Sequence, residues 1–264
     1  MKKIAILLLA ILTFSCSDDD EKGTEENKGQ WAMIFNETVK SDSNPVDRTE
    51  KFMFDGERLI QHIIKQRYFE EEISNEVNLS YSDNQVTVTT DYLTLVYTLN
   101  SEGYASQCVY SLSSQNRIYQ FSYSAEGYLT GIVENIDDIE YSSTSLTYEN
   151  GDITSISSKM NGLENKFIYE PGEESSTYHL PCLGLLEMHP LTFHIEALYA
   201  GLLGKDPRHF TIRSCPAGSN DEKTIYSYEF DKKGNPSRMI CQTTYAGGQA
   251  NYYPYTRNIS VSFE

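Results

Sequence analysis

Glycines at a fixed spacing constrain this chain more than any other feature. Gly103, Gly127 and Gly151 are 24 residues apart each time. Each closes a short polar turn between an aromatic arm and an aliphatic arm, as in FSYSAEGYLTGI (121–132) and SLTYENGDITSI (145–156). VYTLNSEGYASQC (96–108) and SYEFDKKGNPSRM (227–239) are weaker copies. KFMFDGERLIQHI (51–63) and KFIYEPGEE (166–174) keep the aromatic arm and the glycine, and VNLSYSDNQVTV (77–88) has Asn84 in its place. Gly172 continues the series 21 residues after Gly151. Alternation puts Phe121 and Tyr123 on one face, and likewise Phe52 with Phe54 and Tyr228 with Phe230. A glycine turn between two alternating arms is a β-hairpin, because glycine reaches the positive φ that such turns demand. Hairpins in series pair as an antiparallel meander. The pattern predicts roughly ten to fourteen strands, too many for a flat open sheet. The expectation is a mainly β chain curled into a half-open barrel.

Residues 182–204, CLGLLEMHPLTFHIEALYAGLLG, break the rhythm. Pro190 suits the first position of a helix and Gly204 its stop, while Leu191, Ile195, Leu198, Tyr199 and Leu202 recur at helical spacing. This predicts one inserted α-helix over 190–203, packed by its apolar stripe on the concave face of the sheet against Ile132, Ile156 and Met239. Residues 205–223 read as a long loop or edge segment.

The N-terminus is processing sequence. MKKIAILLLAILTFSC has two lysines, an apolar run too short to span a bilayer, and Ser15 before Cys16, the pattern of a lipoprotein signal peptide over residues 1–15. Cys16 is the expected lipidation site, carrying the acyl chains that form the membrane anchor. Residues 16–30 then form an acidic tether, with eight charged residues in SDDDEKGTEENKGQ and no aliphatic or aromatic one. The Asp18–Glu21 run directly after Cys16 and Ser17 resembles an acidic signal for export to the cell surface. A single β-meander domain is expected over 31–264.

The hairpin units resemble YD-type repeats. The lipoprotein leader, the meander, the apolar segment ending in GLLGKDPRHF (201–210) and the following YSYEFDKKGNPSRM (226–239) are together similar to domain of unknown function 4595, a family of Bacteroidota lipoproteins with a porin-like β fold. The likeness covers residues 31–264, with Pro236 where the repeat has a hydrophobic residue. It implies a curled antiparallel sheet and carries over no catalytic residue.

Composition excludes more than it identifies. The formal charge is −17, with 21 Lys and Arg against 38 Asp and Glu. The leader and tether hold only four of those lysines and six of the acids, so the folded part is itself acidic. No nucleic-acid partner is expected, since nothing neutralises a phosphate backbone. There is no G-x-S-x-G, S-x-x-K, P-loop or G-x-G-x-x-G. Carboxylate runs such as Glu70–Glu72 and Asp137–Asp138 read as solvated hairpin tips. His179, Cys182, His189, His194, His209 and Cys215 gather in one region but lack zinc-ligand spacing, so no metal and no cofactor are expected. In an envelope compartment Cys182–Cys215 is a candidate disulfide, closing a loop across the inserted segment, with Cys108–Cys241 as another pairing. Cys108 also fits a plain core position, where the sister units have Ile132, Ile156 and Met239. Tyr252, Tyr253 and Tyr255, in NYYPYTRN, are candidate ligand-facing aromatics.

These features predict a non-enzymatic, lipid-anchored protein of the outer membrane, exposed on the cell surface, that binds a glycan or an apolar ligand. The alternative is a structural or protein-interaction module whose concavity is plugged by the helix, and a hydrolase ranks below both. Oligomeric state is left open. Cys16→Ala is expected to move the protein from the membrane to the soluble fraction and to abolish incorporation of labelled palmitate. Retention in the membrane fraction would contradict the anchor.

Overall fold

The structure is a computed structural model that describes residues 29–40, 46–68, 71–112, 115–176, 185, 188–219, 221–244 and 255–264. Sixteen strands follow the hairpin rhythm. The first eight are β1 (Gln30–Lys40), β2 (Val46–Asp55), β3 (Arg58–Tyr68), β4 (Glu71–Ser82), β5 (Gln85–Thr89), β6 (Thr94–Leu99), β7 (Ala105–Leu112) and β8 (Gln115–Tyr123). The second eight are β9 (Leu129–Ile136), β10 (Ile139–Glu149), β11 (Asp152–Met160), β12 (Leu163–Ser175), β13 (His209–Pro216), β14 (Lys223–Phe230), β15 (Pro236–Thr244) and β16 (Tyr255–Phe263). Every strand pairs antiparallel with its sequence neighbours, and β1 also pairs with β16 from Met33↔Phe263 to Lys40↔Thr256.

The expected half-open curl is therefore a closed barrel. Pairing β1 to β16 removes both free edges, each of which would otherwise expose a row of unpaired backbone groups. The strand number exceeds the expected ten to fourteen partly because the stretch read as a loop contains β13. Gly172 does not make a turn: β12 runs through it, with an irregular register at Pro171.

The turn glycines behave as the repeat requires. Gly56, Gly103, Gly127, Gly151 and Gly234 all have left-handed φ, at 60°, 85°, 91°, 88° and 85°. In an up-and-down barrel alternate turns share an end, so these five turns lie together. Gln30 and Glu264 lie at this glycine end too, joined by mutual backbone bonds between Ala32 and Glu264 of 2.9 and 2.8 Å. The opposite rim carries the β5–β6, β9–β10 and β11–β12 turns.

Alternation sorts the two faces of the wall. Phe35, Phe52, Phe54, Val86, Tyr97, Cys108, Tyr119, Ile132, Ile156, Met239 and Ile259 are buried inside. Outside stand Lys65, Glu76, Asn78, Glu164, Lys166 and Glu170, all exposed, and the Gln61 amide donates to both Glu76 and Asn78. A barrel that spans a bilayer needs the reverse, an apolar band facing the lipid. This wall is built for water outside and a packed core inside. Among the described residues no helix is long and apolar enough to cross a membrane.

β12 ends and β13 begins at the glycine end, and the described residues between them, Leu185 and 188–208, include Leu185, Leu191, Ala197, Leu198, Tyr199, Leu202 and Leu203, which are buried inside the barrel and act as its plug. The helix predicted over 190–203 is broken into a 3-10 turn, Leu191–Phe193, and a five-residue helix α1, Ile195–Tyr199. Pro190 caps the 3-10 turn instead of opening an α-helix, and His194, at φ −123°, separates the two pieces. Gly201 stops α1, three residues before the predicted Gly204. At φ 69° it donates to Leu198 (3.0 Å), and Leu202 donates to Ala197 (2.9 Å), a Schellman closure. Burial follows the predicted stripe: Leu191, Leu198, Tyr199 and Leu202 are buried and Ile195 is half-buried.

The plug is stitched to the wall by backbone bonds. Ala105 donates to Leu202 (2.7 Å), Lys205 to Gly127 (2.9 Å) and Arg208 to Gly151 (3.1 Å). Gly204 has φ +89°, and a Cβ there would lie 2.6 Å from the Gly127 carbonyl oxygen. Gly103 has similar φ and open space around it. Gly103→Ala is expected to cost about 1 kcal/mol through backbone strain alone. Gly204→Ala is expected to cost about 3 kcal/mol or more, because the plug must also move off the turn. Equal shifts of the urea midpoint would contradict this close approach.

Candidate functional site

Two polar clusters lie inside the barrel, and each joins the wall to the plug. In the first, His62 of β3 is fully buried between two carboxylates. Its Nδ1 is 2.8 Å from Glu196 Oε1 of α1, and its Nε2 is 3.0 Å from Glu50 Oε2 of β2. Glu50 also pairs with Arg48 Nε at 2.7 Å. The imidazole stacks on Phe52 at 4.0 Å, and Phe52 stacks on Tyr199 of the plug at 4.0 Å. Burial pulls the His62 pKa down, but the hydrogen bonds and charges of Glu196 and Glu50 outweigh it and hold the pKa above its ordinary value. Burial pushes Glu50 up; the His62 hydrogen bond and the charges of Arg48, His62 and Arg257 overcome this and hold it low. His62 thus bridges wall and plug through both ring nitrogens.

The second cluster centres on Glu134 of β9, whose side chain is fully buried. Its carboxylate accepts from Ser142 Oγ (2.7 Å) and Tyr119 Oη (3.2 Å), and pairs with His189 Nε2 (2.7 Å) and Arg117 Nε (3.3 Å). Burial raises the Glu134 pKa, but the bonds from His189 and Ser142 and the charges of His189 and Arg117 bring it below its usual value. The His189 carbonyl accepts from Thr144 Oγ1 at 3.3 Å.

The composition Ser–His–Glu suggests nucleophilic catalysis, but the wiring opposes it. A triad histidine takes the serine proton on one ring nitrogen and meets the acid with the other. Here Ser142 and Glu134 both face His189 Nε2, and Ser142 donates to the carboxylate. Ser142 is also buried. This cluster holds a plug; it does not activate a nucleophile.

The other predicted chemistry is dispersed. His194 is buried against Tyr97, Nδ1 to Oη 2.8 Å, and burial lowers its pKa to about 3, so it is neutral. His209 binds Asp152 through both its backbone N–H (2.8 Å) and Nδ1 (2.9 Å). Among the described residues no group of three His, Cys, Asp or Glu stands close enough to hold a metal. Cys108 is buried inside with a thiol pushed up to about 12 by burial, and Cys241 is buried as well. Cys215 is half-buried in β13. Cys16, His179, Cys182, Tyr252 and Tyr253 lie outside the described residues; Tyr255 opens β16 opposite Thr243. Asp137 and Asp138 form the β9–β10 turn.

The sequence reading missed Glu50, His62, Arg117, Glu134, Ser142 and Glu196. A signal existed for four of them: Glu50, His62, Arg117 and Glu134 are titratable residues in phase with the inward face of an alternating strand.

A model of the domain of unknown function 4595 (DUF4595) with porin-like fold matches residues 52–238. The chain belongs to this family. Its fold is similar to that of a porin-like protein from Bacteroides uniformis, with TM-score 0.79 and 27% identity over 88% of this chain and 96% of that one. A porin-like protein from Bacteroides vulgatus shares the fold at TM-score 0.55 and 11% identity, over 86% and 96% of the two chains. No curated protein matches the chain. As a DUF4595 chain it has porin-like topology with the outer surface of a water-exposed protein.

The His62 bridge carries a pH signature. A raised folded pKa means stability fully present below the unfolded value of 6.5 and lost as pH rises through the folded value. The lowered Glu50 pKa means stability present above 4.5 and lost as pH falls through its folded value. The cluster therefore stabilises most between those limits. Urea midpoints of wild type are expected to fall on the alkaline side, and His62→Gln is expected to lower the midpoint near pH 6 and flatten that fall. Parallel pH profiles for the two proteins would contradict the bridge.

Proposed function

We propose that this chain is a non-enzymatic, lipid-anchored interaction module of the outer membrane, with a closed and plugged barrel as its rigid body. The distribution of exposed apolar side chains supports this reading. Among the described residues seven large hydrophobics are exposed, and Ile73, Tyr92, Ile139, Met160 and Leu163 all lie at the rim opposite the glycine end. Ile139 and Leu163 are each 73% exposed, on neighbouring hairpins joined through Ser142↔Met160. Apolar tips concentrated on one rim suit a protein partner. Gln30 lies at the other end, so a tether from Cys16 would join the barrel at the end opposite this rim.

An apolar cargo does not fit the same body. The lumen where it would sit is occupied by Leu191, Ala197, Leu198, Tyr199, Leu202 and Leu203. Both polar clusters face the plug and are occupied by it.

A photo-cross-linking residue at position 139 is expected to form a discrete protein adduct on intact cells. Leu163→Glu is expected to remove most of that adduct without moving the melting temperature, since Leu163 is 73% exposed at a hairpin tip. The same adduct from position 126, at the glycine end, or none from position 139, would contradict the docking rim.

A further inference from the structure

At the glycine end the return arm of the plug builds a groove of about 590 Å³. We propose that it binds an acidic sugar, a saccharide ring bearing a carboxylate or phosphate. The groove lies between the β8–β9 and β10–β11 turns, which are two hairpins of the same repeat. Each turn holds the backbone of one cationic residue. The Gly127 carbonyl accepts from the Lys205 backbone N–H at 2.9 Å, and the Gly151 carbonyl accepts from that of Arg208 at 3.1 Å. Neighbouring hairpins are about 10 Å apart across two strand spacings. The repeat therefore sets the backbones of two cationic residues about two strand spacings apart, on either side of the groove.

Glycine is required for this placement at one turn in particular. Gly151 has φ +88°, and a Cβ there would lie 2.5 Å from Arg208 Cδ and 2.7 Å from the Tyr128 hydroxyl. Without that Cβ, Arg208 lies directly across the turn, its Nη1 3.4 Å from the Asn150 carbonyl oxygen. Among the described residues Arg208, like Arg58, has no carboxylate partner, whereas Arg48, Arg67, Arg117, Arg213, Arg238 and Arg257 each have one.

The lining is unlike the rest of the surface. Lys205 and Arg208 face one carboxylate, Glu126, so the groove is net positive on a chain of formal charge −17. Tyr128 and Tyr148 line it with rings stacked at 4.9 Å. Flat aromatic surface takes the apolar face of a sugar ring, and a guanidinium fork takes its acidic group. Ser124, Thr130 and Asn150 add hydroxyl and amide groups for its hydroxyls. The groove is remote from the apolar rim and does not depend on the docking proposal.

Calorimetric titration of the detergent-solubilised full-length protein tests this, with galacturonic-acid oligomers and glucose 6-phosphate as probes, and maltohexaose and phosphatidylglycerol vesicles as controls. Binding of an acidic sugar that weakens with salt is expected, with maltohexaose at least about tenfold weaker. Arg208→Gln and Lys205→Gln are each expected to weaken it about tenfold or more at unchanged melting temperature, and Tyr128→Leu to weaken it about tenfold or more. Lys205 is exposed at the rim, so its variant reads binding even where the tyrosine change disturbs packing. Absence of binding to both acidic sugars, or affinity unchanged in Arg208→Gln and Lys205→Gln, would overturn the proposal. Vesicle binding lost in the same variants without sugar binding would also overturn it, by making the groove a headgroup site.

Discussion

Sixteen strands close around more space than their own side chains fill, and the rest of this structure depends on that excess. Eight strands already make an interior just wide enough for side chains, and sixteen to eighteen leave a channel. Here the inward face is apolar, so a water-filled channel would expose Phe35, Phe52, Tyr97 and Ile132 to solvent. The plug resolves this. Leu191 and Ala197 are fully buried in the lumen, and the glycines at 127, 151 and 204 let the plug's return arm lie against the turns. The plug needs the wall equally, because α1 is only five residues long and has no stability of its own.

The two buried clusters give the plug one position. Apolar packing alone tolerates sliding, since one aliphatic contact replaces another at little cost. A carboxylate bound from four directions, as Glu134 is by Tyr119, Ser142, His189 and Arg117, does not. Losing one partner leaves a buried charge short of compensation. The clusters thus serve register. The protein shares the topology of its porin-like relatives, but the polarity of wall and lumen is that of a water-exposed protein with a solid core.

Much of the wall was legible in the sequence. The spacing of Gly103, Gly127 and Gly151 reports local hairpins, and local pairing is what a repeat can encode. Closure was not legible, because β1 and β16 meet at opposite ends of the chain and no short pattern marks their register. Gly172 shows the opposite error. It keeps the spacing of a turn glycine, yet β12 continues through it to reach the plug. The plug was legible as a buried apolar segment, but not as a broken helix: a stripe of Leu191, Leu198 and Leu202 is satisfied by any compact path through a lumen. The polar clusters were only partly legible among 38 acids: Glu50 and Glu134 are in phase with inward-facing residues, but their pairing with His62 and His189, and the part of Glu196, appear only when wall and plug come together. The groove residues Lys205 and Arg208 lay in a stretch read as a loop, and only its bonds to two repeat turns give them a common direction.

The central claim is that plug and wall form one cooperative core. Hydrogen exchange followed by mass spectrometry tests it most directly, by comparing amides of Leu198–Leu203 with those of β8–β10. The account predicts that both exchange only through global unfolding, with the same dependence on denaturant. Exchange of the plug amides at a much lower free energy, while the wall stays protected, would show a plug that leaves an intact barrel and would contradict the account.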